Sequence, residues 1–98
     1  MIHVILPYHL QILAKVESNI TLALTAPVTI GDVIHAIETN YPTLRGTIYD
    51  HHTQQRRPLL RFFICSEDWS LKPLDTKLPE AIISGAEPFY IVGAIAGG

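Results

Sequence analysis

The C-terminus is the part of the chain with the clearest chemical potential. The sequence ends Ala94-Ile95-Ala96-Gly97-Gly98, and this apolar tail directly follows a predicted strand. Because glycine lacks a Cβ atom, Gly97 and Gly98 could pass through a narrow channel and adopt backbone angles closed to other residues. The terminal carboxylate is ionised and unreactive at neutral pH. It would need activation, for instance as an acyl-adenylate, before a nucleophile could attack it.

The other chemically suggestive residues favour plainer interpretations. His51 and His52 stand next to Asp50, but adjacent loop histidines rarely converge on one ion, and no Cys/His spacing indicates zinc. We therefore predict a solvated loop there and no metal site. Cys65 is predicted to be a small buried residue on a strand rather than a nucleophile. The chain offers no Ser/His/Asp set, no paired carboxylates and no phosphate-binding glycine loop, so it is predicted not to be an enzyme.

Composition excludes several classes of function. The 98 residues fit one domain, and 7 basic against 9 acidic residues leave no basic footprint for nucleic acid. The cluster Arg56, Arg57 and Arg61 could meet an acidic partner, although a solvated face is the simpler interpretation. No apolar run approaches the ~20 residues that span a bilayer, and no signal peptide is predicted. A single cysteine agrees with a reducing cytoplasm, where we expect the protein.

The clearest predicted element is a helix over residues 30–40. Thr29 can cap it, and Asp32 stands at the position of a capping box. Its apolar face is predicted from the spacing i, i+3, i+4, i+7 of Ile30, Val33, Ile34 and Ile37. The helix should end before a proline, because the residue preceding proline disfavours the α region.

Strand patterns surround this helix. We predict strands over 1–6, 20–25, 59–65 and 89–92, and a short helical turn within 8–16. The segment 43–58 is predicted to be an exposed connection, and 69–78 to be irregular. The fold class is α+β, with a mixed sheet of four to five strands and one main helix across it. This order fits the β-grasp, or ubiquitin-like, architecture, as a single domain 1–98 in which 93–98 form a flexible tail.

Together these features resemble a known family. The β-grasp order, the helix start at 29–34, the segment Tyr41-Pro42-Thr43-Leu44-Arg45 and the Ala96-Gly97-Gly98 end are similar to the MoaD/ThiS family. Its members are prokaryotic ubiquitin-like sulfur carriers, among them the small subunit of molybdopterin synthase and the thiamine-pathway carrier. The resemblance extends over essentially the whole chain.

The resemblance implies a carrier mechanism. A ubiquitin-activating-type enzyme would adenylate Gly98 with ATP and Mg²⁺, and sulfur would then replace AMP to give a thiocarboxylate. Gly97 would give access to the activating site. The implied partners are this adenylating enzyme, a sulfur donor such as a rhodanese or cysteine desulfurase, and an acceptor synthase subunit. The chain itself would bind no cofactor and could act as the small subunit of a synthase.

We expect the partner interface on an apolar sheet face beside the tail, because the charged fraction of 16% is low against about 25% for an average domain. Its predicted members are Phe62, Ile64, Phe89, Gly93, Ala94, Ile95 and Ala96. Two other functions stay open from the sequence. The chain could be a protein modifier joined through Gly98 to target lysines, or a β-grasp binding module whose glycine pair is incidental.

Overall fold

The computed structural model describes residues 1–93, and the predicted tail residues 94–98 lie outside the described part. The elements in chain order are β1 (Ile2–Ile5), α1 (Tyr8–Ala14), β2 (Asn19–Leu22), α2 (Ile30–Asn40), a 3-10 helix (Pro42–Leu44), β3 (Tyr49–Asp50), β4 (Gln55–Arg56), β5 (Leu60–Ile64), β6 (Glu67–Asp68), α3 (Glu80–Ile83) and β7 (Phe89–Gly93). The sequence patterns missed α3 and β6, because elements of four and two residues are too short to show a period.

Five strands form one mixed sheet in the order β2-β1-β7-β5-β6. Strand β1 pairs antiparallel with β2 and parallel with β7, and β7 pairs antiparallel with β5. The first and last strands therefore lie side by side inside the sheet, as their uniformly apolar sequences predict. Strands β3 and β4 form a separate hairpin.

Helix α2 covers the predicted residues and begins with the predicted capping box. The Thr29 hydroxyl accepts a hydrogen bond from the Asp32 backbone N–H at 3.1 Å, and the Asp32 carboxylate accepts one from the Thr29 N–H at 2.9 Å. These two bonds satisfy backbone donors that the helix itself leaves unpaired. The predicted apolar face is buried, since Ile30, Val33 and Ile37 are inaccessible to solvent.

Alternate residues of each main strand point toward α2 and form the core. The strand residues in it are Ile2, Val4, Ile20, Leu22, Leu60, Phe62, Ile64, Phe89 and Ile91. Helix α2 packs across this face of the sheet, which confirms the β-grasp architecture. Within residues 1–93, the helices are all too short or too polar to cross a membrane.

The segment 43–58 is less exposed than its polar sequence predicts. Leu44 and Ile48 are fully buried, and the hairpin β3–β4 follows them in the chain. The Arg56 side chain is turned inward and donates hydrogen bonds to the carbonyl oxygens of Ser70 and Leu60. The interpretation of Arg56 as part of a solvated face was wrong, because its guanidinium supplies donors to the carbonyl oxygens of Leu60 in β5 and of Ser70.

The capping box predicts a specific loss of stability. Thr29→Ala should lower the free energy of unfolding by about 1 kcal/mol, because the N–H of Asp32 loses its acceptor. Chemical denaturation at fixed pH measures this change. The matched control is Thr39→Ala, an exposed position on the same helix where alanine also improves helix propensity. Equal losses in the two variants would contradict the capping role.

Candidate functional site

The end of β7 defines the candidate site, because the chain continues from there into residues 94–98. Strand β7 ends at Gly93, one residue beyond the predicted boundary, and is held between β1 and β5. The predicted site residues Ala94, Ile95, Ala96, Gly97 and Gly98 lie outside the described residues. The surface around Gly93 is therefore the part of the predicted site that the structure describes.

The predicted interface residues Phe62, Ile64 and Phe89 are not on a surface. Each is at most 1% exposed, and the Phe62 and Phe89 rings pack at 5.5 Å between centroids. The assignment of these residues to a partner face was wrong. Side chains alternate between the two faces of a sheet, so the residues one position away along each strand are the ones that point outward. Hydrophobicity could not set the face, because 59–65 is apolar on both sides apart from Arg61.

The side chains between those core residues form the outward face. Tyr90 and Val92 on β7 are 44% and 40% exposed. Ile5 of β1 and Phe63 of β5 are the cross-strand partners of Tyr90 on either side, and both are half-buried. With Tyr8, which is 73% exposed at the start of α1, they form what we call the outer patch: Ile5, Tyr8, Phe63, Tyr90 and Val92.

A signal for this face was present in the sequence. Arg61 is the one charged residue of β5 and must point outward, which places Phe63 outward and Phe62 inward by alternation. The register then assigns Tyr90 and Val92 to the same outward face, because they pair with Phe63 and Arg61. The cross-strand register is not readable from one strand alone.

Two surface cavities meet at the end of β7. One, of about 520 Å³, lies against the outer patch and is lined by Ile5, Pro7, Tyr8, His9, Tyr90, Ile91, Val92 and Gly93. The other, of about 470 Å³, is lined by His9, Thr47, Arg57, Pro58, Leu59, Leu60 and Gly93. His9 and Gly93 belong to both, so the His9 ring stands between them. A Cβ atom at position 93 would lie 3.2 Å from His9 Cε1, closer than ordinary contact.

An ion pair borders the outer patch. Arg61 Nη1 lies 3.2 Å from the Asp68 carboxylate. Hydrogen bonds from the Ser70 hydroxyl and backbone N–H, together with the Arg61 charge, hold the pKa of Asp68 below its usual 3.8. Asp68 is therefore anionic at neutral pH, and the pair adds no net charge to the border of the patch.

His51 lies in an exposed turn, as predicted, and its side chain is 37% exposed, but the ring is also hydrogen-bonded to the protein. Its Nε2 lies 2.9 and 3.0 Å from the two oxygens of the buried Glu38 carboxylate. The Gly46 N–H donates to the same carboxylate at 3.2 Å. The pair ties the β3–β4 hairpin to α2. In the described part of the chain, no three His, Cys, Asp or Glu side chains come together as metal ligands would.

Cys65 also differs from its prediction. The thiol is exposed, and Cys65 and Ser66 both have positive φ, 50° and 68°, in the two-residue turn between β5 and β6. Two successive positive φ values are typical of a tight type I′ hairpin. The residue is therefore a turn residue and not part of the core.

Comparison with known proteins shows the fold. A chain of the Amycolatopsis orientalis BexX/CysO complex has a TM-score of 0.78 at 15% identity, over 100% of both chains. SAMP1 from Haloferax volcanii has a TM-score of 0.70 at 13% identity, over 98% of this chain and 97% of that one. A further structure, of H. volcanii small archaeal modifier protein 1, gives 0.70 at 14% identity over 95% of both chains.

No protein-family model matches the chain, and no curated protein sequence matches it. At 13–15% identity the likeness to the solved structures is one of fold. These structures share the ubiquitin-like β-grasp fold, and the likeness extends over nearly the whole length of both compared chains.

Phe62 and Phe63 are neighbours in sequence but lie on opposite faces of the sheet, so their truncation should lower stability by different amounts. Phe62→Ala should lower the free energy of unfolding by about 3–5 kcal/mol, because it leaves a cavity in the core. Phe63→Ala should cost about 1 kcal/mol, since that ring is half-buried on the outer face. Urea denaturation compares the two. If Phe62→Ala does not fold, Phe62→Leu is measured in its place. A loss in the free energy of unfolding as small as that of Phe63→Ala would contradict the assigned faces.

Proposed function

We propose that the protein is a sulfur carrier whose working group is the carboxylate of Gly98. The observation that carries the proposal is the position of β7, which is locked between two strands and ends beside an exposed apolar patch. A partner that binds this patch would lie next to Gly93, the residue from which the chain continues into 94–98. The whole-length likeness to SAMP1 and to a chain of the BexX/CysO complex supports it.

The proposed chemistry proceeds in two steps on a partner enzyme. The Gly98 carboxylate attacks the α-phosphate of ATP, and pyrophosphate leaves while Mg²⁺ balances the phosphate charge. The acyl-adenylate makes the carbonyl carbon electrophilic, because AMP is a far better leaving group than an oxide. The cysteine persulfide of a rhodanese or cysteine desulfurase then displaces AMP and forms an acyl disulfide with the Gly98 carbonyl carbon. A second thiol attacks the cysteine sulfur of that S–S bond, so a disulfide forms and the Gly98 thiocarboxylate is released. The thiocarboxylate then donates sulfur to an acceptor synthase subunit. The proposed use of ATP agrees with the cytoplasmic location that the sequence predicts.

The outer patch is the proposed contact surface for the adenylating enzyme. Its aromatic and aliphatic side chains, with a charge-neutral ion pair at the border, match the composition of the central part of protein interfaces. Tyr90 and Val92 lie three and one residues before Gly93, so an enzyme bound there sits directly beside the tail. The BexX/CysO structure is of a complex, which agrees with a carrier that acts while bound to a partner protein.

A second candidate function is protein modification. One solved neighbour is named a small archaeal modifier protein, and the same activated Gly98 could form an isopeptide bond with a target lysine. The activation step is common to both functions, and only the nucleophile differs.

The carrier function predicts a change at one atom. After incubation with ATP, Mg²⁺, a sulfur donor and extract of the source cells, one oxygen of the Gly98 carboxylate should be replaced by sulfur. Mass spectrometry of the C-terminal peptide detects it. The peptide is needed because oxidation of Met1 or Cys65 adds nearly the same mass. A chain lacking Gly98 is the control and should stay unmodified.

Other results of that experiment point elsewhere. An unmodified Gly98 together with covalent adducts on lysines of other proteins would favour the modifier. An inert terminus in the presence of a confirmed adenylating enzyme would overturn both functions and favour a binding module.

The outer patch predicts a surface requirement for activation. Tyr90→Asp should raise the KM for the chain in ATP–pyrophosphate exchange by about tenfold, because it places a charge at the centre of an apolar contact. Thr21→Asp is the matched control: it adds the same charge on the same sheet face, on the outermost strand β2. Equal KM values for the two variants would show that the patch is not the contact surface.

A further inference from the structure

The second cavity at Gly93 differs in chemistry from the outer patch. We call it the exit groove; its lining is His9, Thr47, Arg57, Pro58, Leu59, Leu60 and Gly93. Its ionisable members, His9 and Arg57, are both basic, and Leu59 beside them is 60% exposed. A groove with basic and apolar walls and no acidic member fits a segment that carries a carboxylate next to an apolar side chain.

Arg57 is held in place before any partner binds. Its Nε donates to the Gly46 carbonyl oxygen at 2.7 Å, and its Nη1 donates to the Asp50 carboxylate at 3.3 Å. A guanidinium has five N–H donors, so among the described residues three of them are not used. The side chain is 45% exposed. A fixed guanidinium with spare donors binds a carboxylate with little further loss of side-chain entropy.

The ion pair with Asp50 does not prevent Arg57 from binding a second carboxylate. Hydrogen bonds from the backbone N–H of His52, and then of Thr53, occupy Asp50 Oδ1, while Arg57 contacts Oδ2. These bonds and the Arg57 charge hold the pKa of Asp50 below its usual 3.8, so it is anionic at neutral pH and orients the guanidinium. Asp50 is not part of the groove lining.

We propose that the exit groove binds an acidic side chain, flanked by an apolar one, of the enzyme that activates Gly98. The carboxylate pairs with Arg57 beside His9, and the apolar neighbour packs on Leu59. Arg57 is then a specificity determinant that binds the partner at the end of β7, in the cavity that adjoins the outer patch at His9 and Gly93. The inference rests on the proposed function, because it assigns a second contact to the same activation complex.

The test measures KM for the full chain in ATP–pyrophosphate exchange with the ubiquitin-activating-type enzyme of the same organism. Arg57→Glu should raise KM about tenfold with little change in kcat, because it replaces attraction by repulsion at binding. The KM of Arg57→Lys should lie between those of wild type and Arg57→Glu, because lysine keeps the positive charge but lacks the paired donors of the planar guanidinium. Added salt should raise the wild-type KM more steeply than that of Arg57→Glu.

Two control variants separate partner binding from a structural role. Lys77→Glu makes the same charge change at an exposed residue that pairs with Thr29 and does not line the exit groove, and its KM should stay within about twofold of wild type. Asp50→Asn removes the ion pair but keeps Arg57 and the Oδ1 acceptor. It should leave KM within about threefold of wild type if Arg57 acts on the partner.

Each outcome decides the inference. The inference is overturned if the KM of Arg57→Glu equals that of Lys77→Glu. It is also overturned if Asp50→Asn raises KM as much as Arg57→Glu does, because Arg57 would then act only within the hairpin. If Arg57→Glu does not fold, Arg57→Gln takes its place against the same controls. A wild-type chain that supports no exchange would overturn the proposed function, and this inference with it, before any variant is compared.

Discussion

The structure depends on the parallel pairing of β1 with β7. Val4 pairs with Phe89 and Ile5 with Tyr90, so the two ends of the described chain meet in the middle of the sheet. Strand β5 closes the other side of β7 over five residue pairs. With ladder hydrogen bonds on both sides, β7 cannot leave the sheet without exposing backbone groups and core residues. The position of Gly93 is therefore fixed by the rest of the fold.

The same strand has two distinct environments. Phe89 and Ile91 are buried under α2, while Tyr90 and Val92 point outward. The core residues give the strand its stability, and the outward residues are left for contact with other molecules. Two cavities adjoin at the end of β7, where His9 and Gly93 line both of them. One cavity lies against the apolar outer patch, and the other has Arg57 in its lining. A partner that occupies both would enclose the end of β7 from two sides.

Local sequence patterns were enough to predict most of the fold. The capping box at Thr29 and Asp32 predicts where helix α2 begins. The apolar stripe that follows predicts which face of the helix is buried. The uniformly apolar β1 and β7 indicate central strands, and they are neighbours in the sheet. What failed was the choice of face in β5: Phe62, Phe63 and Ile64 are all apolar, so within that strand the charge of Arg61 is the signal that separates the two faces. The residues of the predicted tail are outside the described part, so the central chemical expectation stays a prediction.

Long-range side-chain contacts were also invisible to sequence patterns. Glu38 and His51 are 13 positions apart and meet only because the β3–β4 hairpin folds against α2. Arg56 and Arg57 are neighbours in sequence, yet one is bonded inward to loop carbonyls and the other lines a surface groove. Polar side chains in a connection can therefore be structural, and only the tertiary arrangement distinguishes them from solvated ones.

The pairing of β1 with β7 also bears on how the chain matures. Ile5 and Tyr90 are far apart in sequence, and contacts of such separation form slowly because a long loop must close first. Until that closure, the outer patch is incomplete, since Ile5 and Phe63 flank Tyr90 only in the finished sheet. In the proposed function, a partner that binds this surface would therefore discriminate against incompletely folded copies, because those copies lack the assembled patch.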